Sequence, residues 1–327
     1  MKKFILSVIF AIGLNAIACA QPEIVPQKVA ENLYVVSGMG GNISFLITSE
    51  GVIVVDAGNL PRDGAKVVSL VSEITNQPIK FLVYTHCHGD HVGGAAGLPE
   101  NITIIGHTKI VDNLKNFNEV SIKNNIEKAY PERIAKLKGD IDNFSGTDST
   151  ELVKLNDQYN RTLLQFEEYK KIKIRYPKVT FDDLYTLNLG EQKVDLLFKG
   201  AGHTNDNIVV VYRNYNIIHA ADLVFNGMVP FLFVAHGGTP SGWQRVVQGL
   251  YSENFVTVIP GHGAVGGNEL LKTQSDYFAR LTADVKKLKD EGKSIDEIKA
   301  SLNAAMYGLK GNEHQFPINV EAVFGEL

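Results

Sequence analysis

A chain of 327 residues with 44% hydrophobic content can bury one large core or two modest ones, because single cores stop growing at roughly 250–300 residues. That apolar share excludes a disordered chain, and a net charge of -4 leaves no basic excess that would recruit nucleic acid or anionic lipid. The expected partner is a small-molecule substrate. The N-terminus carries Lys2-Lys3, an apolar run from Phe4 to Ala18, and Ala18-Cys19-Ala20 before Gln21-Pro22. This is the pattern of a signal peptide over residues 1–20, cleaved to release a domain over 21–327 into the periplasm. About 15 apolar residues interrupted by Asn15 are fewer than the roughly 20 that a spanning helix needs, so no membrane span is expected. A lipid anchor on Cys19 is the lesser alternative, since Ala16-Ile17-Ala18-Cys19 lacks a leucine. Cleavage after Ala20 leaves Cys87 alone, and no intrachain disulfide can form.

From Leu33 to Asp56, short apolar runs alternate with turn residues: Leu33-Val36, Ile43-Thr48 and Val52-Val55 are separated by Gly38-Met39-Gly40-Gly41 and Ser49-Glu50-Gly51. This predicts an antiparallel meander. A helix follows over Arg62 to Glu73, with Val67, Val68, Leu70 and Val71 on one side and Pro61 at its start. Phe81–Tyr84 and Ile102–Ile105 are strands. Between Lys109 and Lys173 the chain becomes polar and lysine-rich, which predicts a helical insertion (109–173) of two stretches broken between Gly139 and Ser149; it is either a surface pair or a wall over the site. Strands resume at Leu184-Leu189, Val194-Phe198, Ile208-Val211 and Ile217-His219. A helix over Ser241–Tyr251, a strand Phe255–Ile259 and a helix over Glu269–Lys289 complete the core, and a helical tail spans 291–327 with one short helix capped by Ser294. Two strand-rich halves, each with its own helices, predict an α/β fold: a four-layer αββα sandwich.

The chemistry concentrates in His86-Cys87-His88-Gly89-Asp90-His91, in the loop after a strand. Backbone alternation sends His86 and His88 to one side and Cys87 to the other, as a small core hydrophobe. Three imidazoles and a carboxylate within six residues crowd a single ion but divide well between two. Catalytic zinc keeps about three protein ligands and a water, so further ligands are needed. His203 in Gly202-His203-Thr204, Asp222, and His262 in Gly261-His262-Gly263 each lie just beyond a predicted strand. His107, His219 and His314 are left out as core or tail residues, whereas His236, in Val234-Ala235-His236-Gly237-Gly238, borders the site.

In order and approximate spacing, these motifs resemble the metal motifs of the metallo-β-lactamase superfamily, and Asp56 in Val54-Val55-Asp56-Ala57-Gly58 matches its acidic residue behind the metal histidines. The resemblance runs from about Val29 to Asp290 outside the insertion. It implies that His86, His88 and His203 hold a first metal, that Asp90, His91 and His262 hold a second, and that Asp222 bridges them. Nitrogen and carboxylate donors suit two Zn2+, with iron or manganese as substitutes; a bridging hydroxide would be the nucleophile, and Asp56 would orient a ligand imidazole. The activity implied is hydrolysis of an acyl carbonyl in an ester, thioester, lactone or lactam, with Asp90 and Asp222 as catalytic carboxylates. A β-lactamase proper is one alternative, although those enzymes resemble this chain less at Asp222, where they carry cysteine or serine. A mononuclear iron enzyme of the persulfide dioxygenase kind is another, but it leaves His91 and Asp222 idle. Ala221-Asp222-Leu223-Val224-Phe225, Pro230, Trp243 and Pro260-Gly261-His262-Gly263 are also similar to exported zinc hydrolases of quinoprotein relay systems. Phe225, Met228, Phe231 and Phe233 form a candidate apolar wall.

Overall fold

The computed structural model describes residues 24–146 and 148–327; the expected signal peptide and Cys19 lie outside them. Strands β1 (Gln27–Ala30), β2 (Leu33–Val36), β3 (Ile43–Thr48), β4 (Gly51–Val55), β5 (Ile79–Val83), β6 (Thr103–His107) and β7 (Val179–Phe181) form one sheet in chain order. The second sheet runs β12-β11-β10-β9-β8, from β8 (Leu184–Leu189), β9 (Gln192–Leu197), β10 (Val209–Tyr212), β11 (Ile217–Phe225) and β12 (Thr257–His262). β1 to β4 pair antiparallel, as the turn residues between them allow, while β4 to β7 pair parallel. Parallel neighbours need a crossover element; helix α1 (Pro61–Ile74) supplies it between β4 and β5.

Alternation along single strands explains the layering. In β4, Val52 and Val54 face outward onto Val67, Leu70 and Val71 of α1, whereas Ile53 and Val55 face the other sheet. In β10, Val210 and Tyr212 enter that same inter-sheet core while Val209 and Val211 turn to the opposite outer face. Each sheet is therefore apolar on both sides, and burial of each such valine stabilises the fold by roughly 1.5–3 kcal/mol. The outer face of the second sheet is covered by α7 (Pro240–Tyr251), α8 (Glu269–Asp290), α9 (Ile295–Ser301) and α10 (Phe316–Glu326). The architecture is the αββα sandwich.

Between β6 and β7 the insertion forms one helical run, α3 (Ile110–Asn113), α4 (Val120–Asn124) and α5 (Tyr130–Asp142), joined through two π-helical segments. It returns as α6 (Ser149–Tyr169), whose N-cap Asp148 accepts from the Thr150 amide at 2.8 Å. A short helix, α2 (Gly89–Val92), follows β5. Several boundaries differ from expectation. β11 continues past His219 to Phe225 because a bulge at Ala221 keeps it paired with β12. β12 likewise extends to His262. β1 is a half-exposed edge and β7 has three residues, too short for a pattern. α10 lies within the expected helical tail, and its Pro317 stands in the first helical turn, where proline costs no hydrogen bond.

Candidate metal centre

The site lies at one end of both sheets, where strand ends deliver their loops. Asp56 directly follows β4, β5 leads into His86–His91, β9 into the loop with His203, and β11 and β12 carry Asp222 and His262. Two non-glycine residues there adopt left-handed backbone: Asp56 at φ 63° and Ala221 at φ 49°. Such conformations cost of order 1–3 kcal/mol and collect where function demands a particular side-chain direction. Here they aim Asp56 and, one residue after the bulge, Asp222. Packing leaves no slack around either acidic or imidazole group. A Cβ on Gly261 would fall 2.0 Å from Asp222 Oδ1, and one on Gly41 would fall 2.2 Å from the His91 ring.

The structure brings His86, His88, His203 and Asp222 into one group and Asp90, His91 and His262 into another, the ligand atoms of each lying within 4.8 Å of one another. His88 Nδ1 is 2.8 Å from His203 Nε2. Asp222 spans the two groups. Its Oδ2 lies 3.7 Å from His86 Nε2 and 3.4 Å from His203 Nε2. Its Oδ1 lies 3.1 Å from His91 Nε2 and 3.5 Å from His262 Nε2. Asp90 Oδ2 completes the second group, 3.1 Å from His262 Nε2 and 3.6 Å from His91 Nε2. Donors on a tetrahedral zinc with bonds of roughly 2.0–2.1 Å sit about 3.4 Å apart, so the spacing matches a shared ion.

The far nitrogens are held from behind. Asp56 Oδ2 sits 2.7 Å from His91 Nδ1 while Asp56 also accepts from the Thr85 amide at 2.9 Å and hydroxyl at 2.7 Å. His203 Nδ1 donates to the Phe231 carbonyl at 2.6 Å, which leaves Nε2 as the bare nitrogen. Burial leaves His86 Nε2, His91 Nε2 and Asp222 Oδ1 without hydrogen-bond partners. Unpaired buried polar atoms each cost about 1–3 kcal/mol. A cation among them removes that cost, so the residues fit bound metal.

The electrostatics divide along the same line. Burial and neighbouring imidazoles hold His86 and His88 well below the usual histidine range, and burial takes His203 down to about 4. In the second group, burial is outweighed by carboxylates: Asp222, Asp90 and Asp56 push His91 well up, and Asp222 with Asp90 lift His262 to about 9. Burial opposes ionisation of Asp90, yet His91 and His262 hold it down at about 2. Neutral imidazoles thus line one half and compensated charge the other. Cys87 is buried in the outer core with Tyr84 and Val92, and burial raises its thiol well above the ordinary value.

Comparison with known proteins decides the family: the metallo-beta-lactamase superfamily model matches residues 36–262. The chain belongs to the metallo-β-lactamase superfamily. As a superfamily hydrolase it carries a His/Asp cluster arranged for metal. It is 23% identical over 228 residues to a metallo-beta-lactamase type 2 of Bacillus sp. (strain 170), covering 69% of this chain and 68% of that protein. It is 44% identical over 45 residues to a linear primary-alkylsulfatase of Pseudomonas sp. (strain ATCC 19151), which is 14% of this chain and 8% of that protein. In structure it is similar to the stereoselective inverting sec-alkylsulfatase Pisa1 of Pseudomonas sp., with a TM-score of 0.65 at 14% identity over 93% of this chain and 50% of that one.

A cavity of about 580 Å³ opens beside His88 and Asp90. Its wall is the insertion, through Phe117, Ile122, Tyr130, Gln165 and Tyr169, with Ile172 and Ile174 from the segment beyond α6. The expected aromatic wall is corrected: Phe225, Met228, Phe231 and Phe233 do not line this cavity. Two of them back the imidazoles instead, Phe225 stacking on His262 at 5.1 Å and Phe233 meeting His88 edge-on at 4.5 Å. Sequence reasoning also missed Asn42, whose side-chain amide donates to the Pro260 and Gly263 carbonyls at 2.9 Å each and pins the His262 loop to the first sheet. A lone asparagine after Gly40-Gly41 gives no signal of that reach.

Proposed function

We propose that the protein is a dinuclear zinc hydrolase acting on an acyl carbonyl in an ester, thioester, lactone or lactam. The observation that carries the reading is Asp222, whose two oxygens face two separate ligand groups at 3.1–3.7 Å. His86, His88 and His203 would hold one ion, Asp90, His91 and His262 the other, with iron or manganese as substitutes. When bound, a zinc pair would supply Lewis acidity and a hydroxide nucleophile at neutral pH. The chain's own residues do the rest. Asp56 fixes the His91 ring through Nδ1 and the Phe231 carbonyl fixes His203, so the facing nitrogens stay bare. The insertion shields the reacting bond from water and binds the substrate's remote part.

The cavity lining supports a neutral or singly charged substrate, because Arg62 is its one lysine or arginine among the described residues and Asp63 lies beside it. The stretch shared with a linear primary-alkylsulfatase favours a second reading, hydrolysis of an alkyl sulfate ester. Purified protein loaded with zinc is assayed against p-nitrophenyl esters, lactones, thioesters, nitrocefin and a long-chain alkyl sulfate. Turnover of an acyl substrate is expected; sulfate release alone moves the assignment to the second reading, and no turnover with two zincs bound sinks both. Metal analysis finding one iron would favour the persulfide dioxygenase alternative. Residues 1–20 are proposed to export the protein to the periplasm, which fractionation of expressing cells tests. Among the described residues no helix is long and apolar enough to cross a membrane.

A further inference from the structure

His236 lies outside both ligand groups that Asp222 spans, yet it touches a member of the first. His88 uses both ring nitrogens: Nδ1 faces His203 Nε2 at 2.8 Å, and Nε2 lies 2.8 Å from His236 Nδ1. A neutral imidazole carries one N–H, so the partner of one nitrogen decides the state of the other. His91 has Asp56 for that purpose and His203 has the Phe231 carbonyl. For His88 the group in that place is His236.

We infer that His236 is a positioning residue: it accepts the Nε2 proton of His88 and so keeps His88 Nδ1 bare toward the first metal position. Its own placement is held from several sides. The ring is stacked between Phe117 of the insertion, centroids 3.9 Å apart at 23°, and Phe233, at 5.2 Å and 13°. Its amide donates to the Phe233 carbonyl at 3.0 Å and its carbonyl accepts from the Asn205 amide at 2.9 Å. Asn205 in turn accepts from Asn113 Nδ2 of α3 at 2.7 Å. The insertion therefore reaches His88 through the His236 imidazole, and a polar partner of this kind is worth 10–100-fold in metal affinity.

The inference rests on the metal reading of the previous section, and the experiment separates the two. Zinc affinity and stoichiometry are measured by competition with a chromophoric chelator for the full chain, His236→Phe and His236→Gln. Phenylalanine keeps the stack and removes the acceptor; glutamine removes the stack and keeps an acceptor. The expected result is two zincs in the wild type, one of them bound about 10–100-fold more weakly in H236F, and near wild-type affinity in H236Q. If H236F does not fold, His236→Leu takes its place, as it also lacks an acceptor. Equal affinity in H236F, or equal weakening in both variants, overturns the positioning role. A third zinc that H236F loses also overturns it, by making His236 a ligand. A wild type that takes up no zinc overturns the metal reading and this inference together.

Discussion

The cavity's floor, the ligand cluster that meets it at His88 and Asp90, and its wall are built on opposite rules. On the floor, ligand side chains such as His86, His91, His203 and Asp222 are buried, each is fixed by a partner or by a glycine that makes room for it, and the loops leave rigid sheet ends. The wall is two helical runs whose outer surfaces stay polar, with Leu114, Leu137 and Thr162 among the few side chains they bury. Local stability follows buried contact, so the floor tolerates no change of geometry while the wall can be reshaped. On the function proposed above, chemistry belongs to the floor and choice of substrate to the wall.

That contrast is broken most directly at Asp222. Asp222→Ala removes the one carboxylate common to both ligand groups, and both zinc occupancy and turnover should fall, the rate by about 10²–10³-fold, on the scale of losing a preorganised electrostatic group. Metal analysis with steady-state kinetics checks this; an unaffected rate refutes the bridging role. Gly261→Ala comes next. Its methyl group would meet Asp222 Oδ1 at 2.0 Å and the Ala221 and Asp222 backbone within 2.7 Å, so the carboxylate must move. A displacement near 1 Å at a catalytic group costs about 10²-fold, and kinetics at saturating zinc should show it without global unfolding.

Beneath the floor, Asp206 is fully buried, accepts from Thr204 Oγ1 at 2.6 Å, and is raised by burial to about 6 from an ordinary value of 3.8. A carboxyl whose folded value is raised holds its proton longer in the native state. Its contribution to stability is complete below about pH 3.8 and is lost as pH rises towards 6. Asp206→Asn does not titrate, so the variant should gain on the wild type by on the order of 3 kcal/mol between pH 4 and pH 7. Urea unfolding at both pH values measures it, and a difference independent of pH removes the assignment.

The floor was more legible in the sequence than the wall, for a physical reason. Metal ligands need particular atoms at close spacing, so His86-x-His88-x-Asp90-His91 stands out in one dimension, and strands end in recognisable apolar runs. Two strand-rich halves, each with its own helices, likewise gave away two sheets packed face to face. A wall needs only shape. Nothing in the composition of residues 109–173 distinguishes a solvated helix pair from a cavity lining, and Phe225, Phe231 and Phe233 looked apolar enough for that task while packing behind the imidazoles. Gly41 and Asn42 act on residues some 50 and 220 positions away, His91 and Gly263, and such long-range contacts leave no local pattern.

The smallest expected effect is the one that tests the wall alone. Tyr169 closes α6, lines the cavity, and packs on Tyr130 with ring centroids 5.2 Å apart. Among the described residues, none of its ring contacts or hydrogen bonds involves a member of either ligand group; its hydroxyl accepts from Asn125 Nδ2 at 3.0 Å. Tyr169→Ala should leave zinc stoichiometry as it is and raise KM by up to about 10-fold for substrates with a bulky remote group, the loss of roughly 1.4 kcal/mol of apolar contact. Small esters that never reach α6 should keep their KM. If kcat falls equally for small and bulky substrates, the insertion acts on the metal floor itself, and the division between floor and wall gives way to a single unit coupled through Phe117 and His236.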